Sequence, residues 1–324
     1  MKIITLEEHF TTPLFREKLP PSPAMAGIAA QRGKQIGVDV IQELLDMGSS
    51  RIAAMDASGI AVQVMSLTAP GCEALDAETA VAVAKDANDR LFEAVTAHPD
   101  RLAGFAALPT ADPKASAEEL ERAVKRLGLK GALINGHIRG RYLDDRKYWS
   151  IFECAASLDV PIYLHPTPPH PAVMQTYFEG FEEIALPAWG FALETSVHFL
   201  RLVFAGVFDA FPRLKFILGH LGEGLPFGIH RLNEHTYAAA SRRGLKKRPE
   251  QYLRENLVVT TSGNFYTPAF LCTVMAMGVE NVLFSVDWPY ESNRAGADWF
   301  AHLQMSEQDK EKIAHLNAER ILHL

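Results

Sequence analysis

Little in this sequence speaks for disulfides, membranes or polyanions. Cysteine occurs three times, at Cys72, Cys154 and Cys272, far apart and in no CxxC spacing. That spacing excludes a disulfide framework and implies a reducing compartment. No apolar run can span a bilayer, because the most apolar stretch, FALETSVHFLRLVFAGVF, carries Glu194, His198 and Arg201. The opening residues hold one lysine and a short apolar run that ends at Glu7, so no signal peptide is expected. Basic residues are not in excess: the formal net charge is −7, with both signs interspersed. The one basic cluster, Arg242, Arg243, Lys246, Lys247 and Arg248, reads as a solvated loop or helix end. Nucleic-acid and membrane partners are therefore not expected, and the chain reads as soluble and cytoplasmic. Glycine is also missing after the first strand-like run, in TLEEHFTTP. An open doubly wound sheet would want its phosphate-binding glycine loop there.

What is present is a rhythm. Apolar residues make up 48% and charged residues 22%, ordinary globular values. Eight short β-rich runs recur: KIITLEEH, AVQVMSLT, LAGFAALP, GALINGH, PIYLHP, KFILGHLG, LVVTTSGN and VLFSVDWP. Amphipathic helical patterns lie between them, among them AETAVAVAKDANDRLFEAVTAH and SAEELERAVKRLG. Strands alternating with helices imply βαβ units and a parallel sheet covered on both faces. Eight such units in 324 residues point to an α/β protein with a closed (β/α)8 TIM barrel, one domain over residues 1–324. No repeat or composition break marks a second domain. Two segments, residues 11–37 and 166–188, read as long loops after strands 1 and 5, on the face where barrel enzymes carry their sites.

The strand ends carry residues that packing does not call for. TLEEHF places Glu7 and His9 on one face of a strand and Glu8 on the other, since a strand alternates with period 2. Strand 5 ends with His165, strand 6 with His220 and strand 8 with Asp287. Buried charges without partners cost several kcal/mol each, so such groups should pair or bind a cation. Two carboxylates with two or three imidazoles suit Zn2+, Mn2+ or Fe2+ and are too nitrogen-rich for Ca2+ or Mg2+. On this reading Glu7 and His9 face the barrel interior, and Glu8 faces the helices and needs another partner.

The order of these groups across strands 1, 5, 6 and 8 resembles the amidohydrolase superfamily. LEEHF, YLHP, ILGHLGEGLP, TTSGNF and LFSVDWPYE together resemble its decarboxylase branch, the γ-resorcylate, 2,3-dihydroxybenzoate and 5-carboxyvanillate decarboxylases. The likeness runs from LEEHF to NAERIL. Strand 1 has Glu-x-His where many hydrolases have His-x-His, and Asn135 stands where dinuclear members carry a bridging lysine; both favour a single metal ion. The resemblance implies metal ligation by Glu7, His9, His165 and Asp287. It puts His220 beside Asp287 and the substrate, with Glu223 orienting it. Trp189, Phe191 and Tyr290 would line an aromatic pocket, and Arg231 and Arg51 would hold substrate or bridge subunits. The implied function is reversible, non-oxidative decarboxylation of an ortho-hydroxybenzoate to a phenol, with Asp287 protonating the ipso carbon. One Mn2+ or Zn2+ per chain and no organic cofactor would serve it, in a homodimer or homotetramer. Two alternatives use the same residues: a mononuclear hydrolase of an ester, lactone or amide, and a non-catalytic metal-binding scaffold.

Overall fold

A computed structural model describes residues 1–324 of the chain. Its strands are β1 (Ile4–Phe10), β2 (Val62–Leu67), β3 (Leu102–Gly104), β4 (Ala106–Ala107), β5 (Ala132–Asn135), β6 (Ile162–His165), β7 (Phe216–Leu218), β8 (Leu257–Thr260) and β9 (Val282–Leu283). All pairings are parallel and follow chain order, β1–β2–β3 and then β4 through β9. The break between β3 and β4 is a bend within one strand. Phe105 N donates to Met65 O at 2.8 Å on one side, and Ala106 N donates to Gly131 O at 2.8 Å on the other. Eight strands therefore stand where the sequence shows eight runs.

One buried cluster draws a side chain from every one of them: Ile4 and Leu6, Val64, Ala103 and Phe105, Leu133, Tyr163, Ile217, Val258 and Leu283. These residues fill the barrel interior. Ala318, Ile321 and Leu322 join the same cluster from the C-terminal helix Asn317–Leu322 and plug one end. A larger cluster of 54 buried residues lies between the strands and the surrounding helices. Helix Ala77–Ala97 is capped by Asp76 and buries Ala80, Val83, Ala84, Ala87 and Leu91, a stripe at helical spacing that faces the sheet.

The seam between β9 and β1 is closed mostly by side chains. His9 N donates to Trp288 O at 2.7 Å. Ser285 Oγ accepts from Leu6 N at 3.1 Å and Glu7 N at 2.8 Å. The Glu8 carboxylate accepts from Val286 N at 3.1 Å and Trp288 N at 3.0 Å, and Ser285 Oγ donates to it at 3.1 Å. This is the partner that Glu8 required. Burial pushes Glu8 up to about 7, while the two backbone N–H groups pull the other way. A buried carboxylate thus substitutes for missing ladder bonds.

The two segments read as loops are largely helical. Residues 11–37 form helices Pro13–Lys18 and Pro23–Ile36, and residues 166–188 contain Pro171–Phe178 and a 3-10 turn at Glu182–Ile184. Proline stands at the first position of each of the three α-helices, where its missing N–H costs nothing and its fixed φ suits the helix. The prolines that suggested loop are helix starts.

Candidate metal centre and cavity

β1 carries a bulge: Thr5 pairs with Gln63, but the next aligned pair is Glu8 with Met65. The slip turns both Leu6 and Glu7 inward, so the apolar layer of Ile4 and Leu6 gives way to a polar layer of Glu7 and His9. Bulges commonly re-aim side chains at sites in this way. Neighbouring strands make the same change with period 2. Tyr163 leads to His165 on β6, Val258 to Thr260 and Ser262 along β8, and Ile217 to Gly219 after β7. A Cβ at Gly219 would run into the Glu7 carboxylate, so glycine is required for Glu7 to lie there.

Glu7, His9, His165 and Asp287 present four ligand atoms that all lie within 4.8 Å of one another. His165 Nε2 is 3.1 Å from Glu7 Oε1, and His9 Nε2 is 3.2 Å from Asp287 Oδ1. Three of these atoms, Glu7 Oε1, His9 Nε2 and Asp287 Oδ1, are buried and have no hydrogen-bond partner. Orphaned buried polar atoms are rare and call for an explanation, and a shared cation supplies one. The surrounding groups fit it. Tyr163 and Ser262 donate hydroxyl hydrogen bonds to Glu7 Oε2, with Thr260 Oγ1 at 3.5 Å, which leaves Oε1 to face the centre. His165 Nδ1 contacts Pro166 O at 2.8 Å, and His9 Nδ1 contacts Ser66 Oγ at 3.3 Å. Each imidazole thereby turns Nε2 inward, the usual support for a metal-ligating histidine.

The charges agree. Burial raises the Glu7 pKa, but His220, His165 and His9 together hold it well below the usual carboxylate range. Burial and the neighbouring Glu7 charge raise Tyr163 well above an ordinary phenol, so it remains a donor. His220 Nδ1 lies 2.7 Å from Glu223 Oε1; its Nε2 is 3.6 Å from Glu7 Oε1 and 3.8 Å from Asp287 Oδ2. Burial opposes protonation of His220, yet Glu223, Glu7 and Asp287 outweigh it and raise its pKa well above that of free imidazole. Four non-glycine residues here have positive φ: His220 (51°), Leu221 (59°), Glu223 (55°) and Asp287 (82°). Backbone held in this region marks a site fixed by its surroundings.

Above this centre opens a cavity of about 750 Å³. His165, His220, Glu223 and Asp287 lie at its polar end, and Met25, Ile28, Trp189, Phe191, Leu200 and Tyr290 supply much of the apolar wall. Tyr290 stands edge-on to His9 at 5.7 Å between ring centroids and shares a 2.7 Å hydrogen bond with Thr68. Helix Pro23–Ile36 and the segment before Gly190 thus form walls of the cavity.

Arg51 and Arg231, expected to hold substrate or bridge subunits, do not line this cavity. Arg51 is fully buried outside the barrel wall. It donates to His9 O at 2.6 Å, Asp46 O at 3.1 Å, Glu43 O at 3.2 Å and Gln63 Oε1 at 3.1 Å. It is not a cavity residue; it anchors the backbone of a ligand-bearing strand. Arg231 lies exposed on helix Leu225–Arg242 and does not reach the cavity.

Sequence reasoning missed the hydroxyl cradle of Tyr163, Ser262 and Thr260, and also Arg32 and Glu291, which line the cavity. The period-2 signal was there for the cradle, since Tyr163 precedes His165 by two. Nothing local, however, reveals which strands face one another across a barrel.

Comparison with known proteins agrees with this geometry. The model of the amidohydrolase family matches residues 47–324. The γ-resorcylate decarboxylase of Polaromonas sp. (strain JS666) is 40% identical, covering 99% of this chain and 98% of that protein. A crystal structure of the Polaromonas dihydroxybenzoic acid decarboxylase, with bound manganese and the inhibitor 2-nitroresorcinol, has a TM-score of 0.91. It is 39% identical, with 100% and 97% of the two chains covered. The 5-carboxyvanillate decarboxylase of Novosphingobium aromaticivorans, complexed with manganese and 4-hydroxy-3-methoxy-5-nitrobenzoic acid, has a TM-score of 0.92. There the identity is 34%, with 100% and 96% covered. Fold, ligand set and sequence together show that this chain belongs to the amidohydrolase family, in its hydroxybenzoate decarboxylase branch.

Proposed function

We propose that the protein is a metal-dependent decarboxylase that converts an ortho-hydroxybenzoate to a phenol and carbon dioxide, reversibly. The observation that carries this is the convergence of orphaned buried Glu7, His9 and Asp287 atoms, with His165, at the floor of a largely apolar cavity of about 750 Å³. A divalent ion held there, Mn2+ or Zn2+, supplies the Lewis acidity that keeps the ortho phenol of the substrate ionised near neutral pH.

The chain's own residues do the rest. Trp189, Phe191 and Tyr290 wall the cavity and hold the ring, so the aryl carbon faces Asp287. Asp287 gives a proton to the carbon that bears the carboxylate, the aryl–carboxylate bond breaks, carbon dioxide leaves, and its electron pair restores aromaticity. His220, 3.8 Å from Asp287 and oriented by Glu223, replenishes that proton. No organic cofactor or hydrolytic water enters.

Large apolar residues exposed on the chain, among them Phe227 and Met275, each 87% exposed, support self-association, and we assign a homodimer or homotetramer. Light scattering that gave a fully active 35.8 kDa monomer would contradict this. Three free cysteines fit the reducing cytoplasm; no helix is long and apolar enough to cross a membrane. The function is tested by loading the protein with Mn2+ and offering a panel of hydroxybenzoates while following carbon dioxide and the phenol. Elemental analysis should find about one metal ion per chain, as the single four-residue ligand set implies. Turnover of esters or lactones without any decarboxylation would overturn the reading.

A further inference from the structure

The cavity holds one charged pair that ring protonation does not require. Arg32 is the only arginine or lysine among the residues lining it. Helix Pro23–Ile36 presents Met25, Ile28 and Arg32 to the cavity, a spacing that puts them on one helical face. The guanidinium is anchored on three sides: Nε donates to Tyr290 O at 2.9 Å, Nη1 to Gln35 Oε1 at 2.8 Å, and Nη2 to Glu291 Oε2. An arginine carries five N–H groups, so one remains on each Nη. Glu291 Oε1 accepts no hydrogen bond.

The pair also stands next to the reacting end. Tyr290 N and Glu291 N both donate to Asp287 O at 2.9 Å. Gly263 lies between the groups: a Cβ there would meet Glu291 Cγ and His220 Cδ2, each at 3.5 Å, and Asp287 Oδ2 at 3.7 Å. A free arginine would attract any anion. Tied to Glu291 it is neutral overall and offers a donor beside an acceptor. That combination suits a hydroxyl, which can accept from Arg32 and donate to Glu291. A second carboxylate would meet the Glu291 charge instead.

We propose that Arg32 and Glu291 are specificity-determining residues that read a ring hydroxyl beyond the ortho-hydroxycarboxylate pair of the substrate. The proposal rests on the decarboxylase reading above. A site built to hydrogen-bond a hydroxyl discriminates strongly against the analogue that lacks it.

The experiment compares Arg32→Gln, Arg32→Lys and Glu291→Gln with the wild type, all Mn2+-loaded, on 2-hydroxybenzoate and on 2,4- and 2,6-dihydroxybenzoate. Turnover and calorimetric binding are both read. The wild type should prefer at least one dihydroxybenzoate. In Arg32→Gln and Glu291→Gln its kcat/KM for that compound should fall ~10- to 100-fold, the effect of losing a charge-assisted hydrogen bond, mainly through KM. The fall on 2-hydroxybenzoate should be at least tenfold smaller, and Arg32→Lys should recover part of the preference. Equal losses on every compound would show a helix latch and overturn the proposal, as would unchanged ratios. A wild type that decarboxylates none of them, yet binds a dihydroxybenzoate with a preference that Arg32→Gln abolishes, would sink the decarboxylase reading and leave this one standing. A wild type that binds none would overturn both.

Discussion

Tyr163→Phe removes one hydroxyl from the cradle that fixes Glu7, and its effect can be worked from the structure. Glu7 Oε2 accepts from Tyr163 and Ser262, with Thr260 Oγ1 at 3.5 Å, while Oε1 has no partner and faces His165, His9 and Asp287. A hydrogen bond to a charged group contributes about 1.5–3 kcal/mol, and about 1.4 kcal/mol is a tenfold change in affinity. Loss of an outer partner of a metal ligand costs ~10- to 100-fold in metal affinity. Because Ser262 and Thr260 remain, the lower end applies: Mn2+ affinity should fall about tenfold. The assay is competition against a chromophoric chelator, with circular dichroism confirming an intact fold. Ser262→Ala should act in the same direction, and the double variant should be weaker than either. An intact Tyr163→Phe protein with wild-type Mn2+ affinity would refute the idea that the hydroxyls dedicate Oε1 to the cation.

Three further outcomes are expected. Glu223→Gln removes the charge that raises His220 most strongly against the opposing burial; kcat should fall ~10-fold or more and the alkaline limb of its pH profile should move to lower pH. An unmoved limb in a slowed enzyme would assign Glu223 a structural role. Glu8→Ala leaves the N–H groups of Val286 and Trp288 without an acceptor at the barrel seam, which should cost about 2–5 kcal/mol in denaturant unfolding; Glu8→Gln, which keeps one acceptor oxygen, should cost less, and wild-type stability for both would refute the seam. Glu73 is buried against Thr110 and burial pushes it up to about 7. Its folded-state value lies above the unfolded one, so its contribution is complete below about pH 4 and is lost as pH rises through about 7. Relative to Glu73→Gln, the wild type should lose up to about 3 kcal/mol between pH 5 and pH 8, and parallel denaturant titrations at the two pH values would show it.

Much of this was legible because strands and helices write their periods into sequence. Eight apolar runs marked eight strands, and period 2 paired Glu7 with His9. The bulge at Leu6–Glu7 was not legible: it depends on the register with β2, and without it the apolar face of Ile4 and Leu6 would continue to Glu8. Proline misled at Pro13, Pro23 and Pro171, where it opens helices instead of breaking them. Arg51 misled for another reason. Arginine is usually exposed, but this one shares a buried helical face with Met55, four residues on, and its acceptors are carbonyls that no motif encodes. Arg32 and Glu291 lie 259 residues apart, and their pairing exists only once the barrel brings the first and last strands together.

Ring protonation by Asp287 is tested most directly by turnover in D2O. Mn2+-loaded wild-type protein should decarboxylate a hydroxybenzoate and place one deuterium on the ring carbon that the carboxylate vacated, read by NMR of the phenol. Asp287→Asn should keep most of its substrate affinity and lose about 10²-fold or more in turnover. Decarboxylation at near wild-type rate by a metal-loaded Asp287→Asn, or a phenol without deuterium at that carbon, would contradict the mechanism.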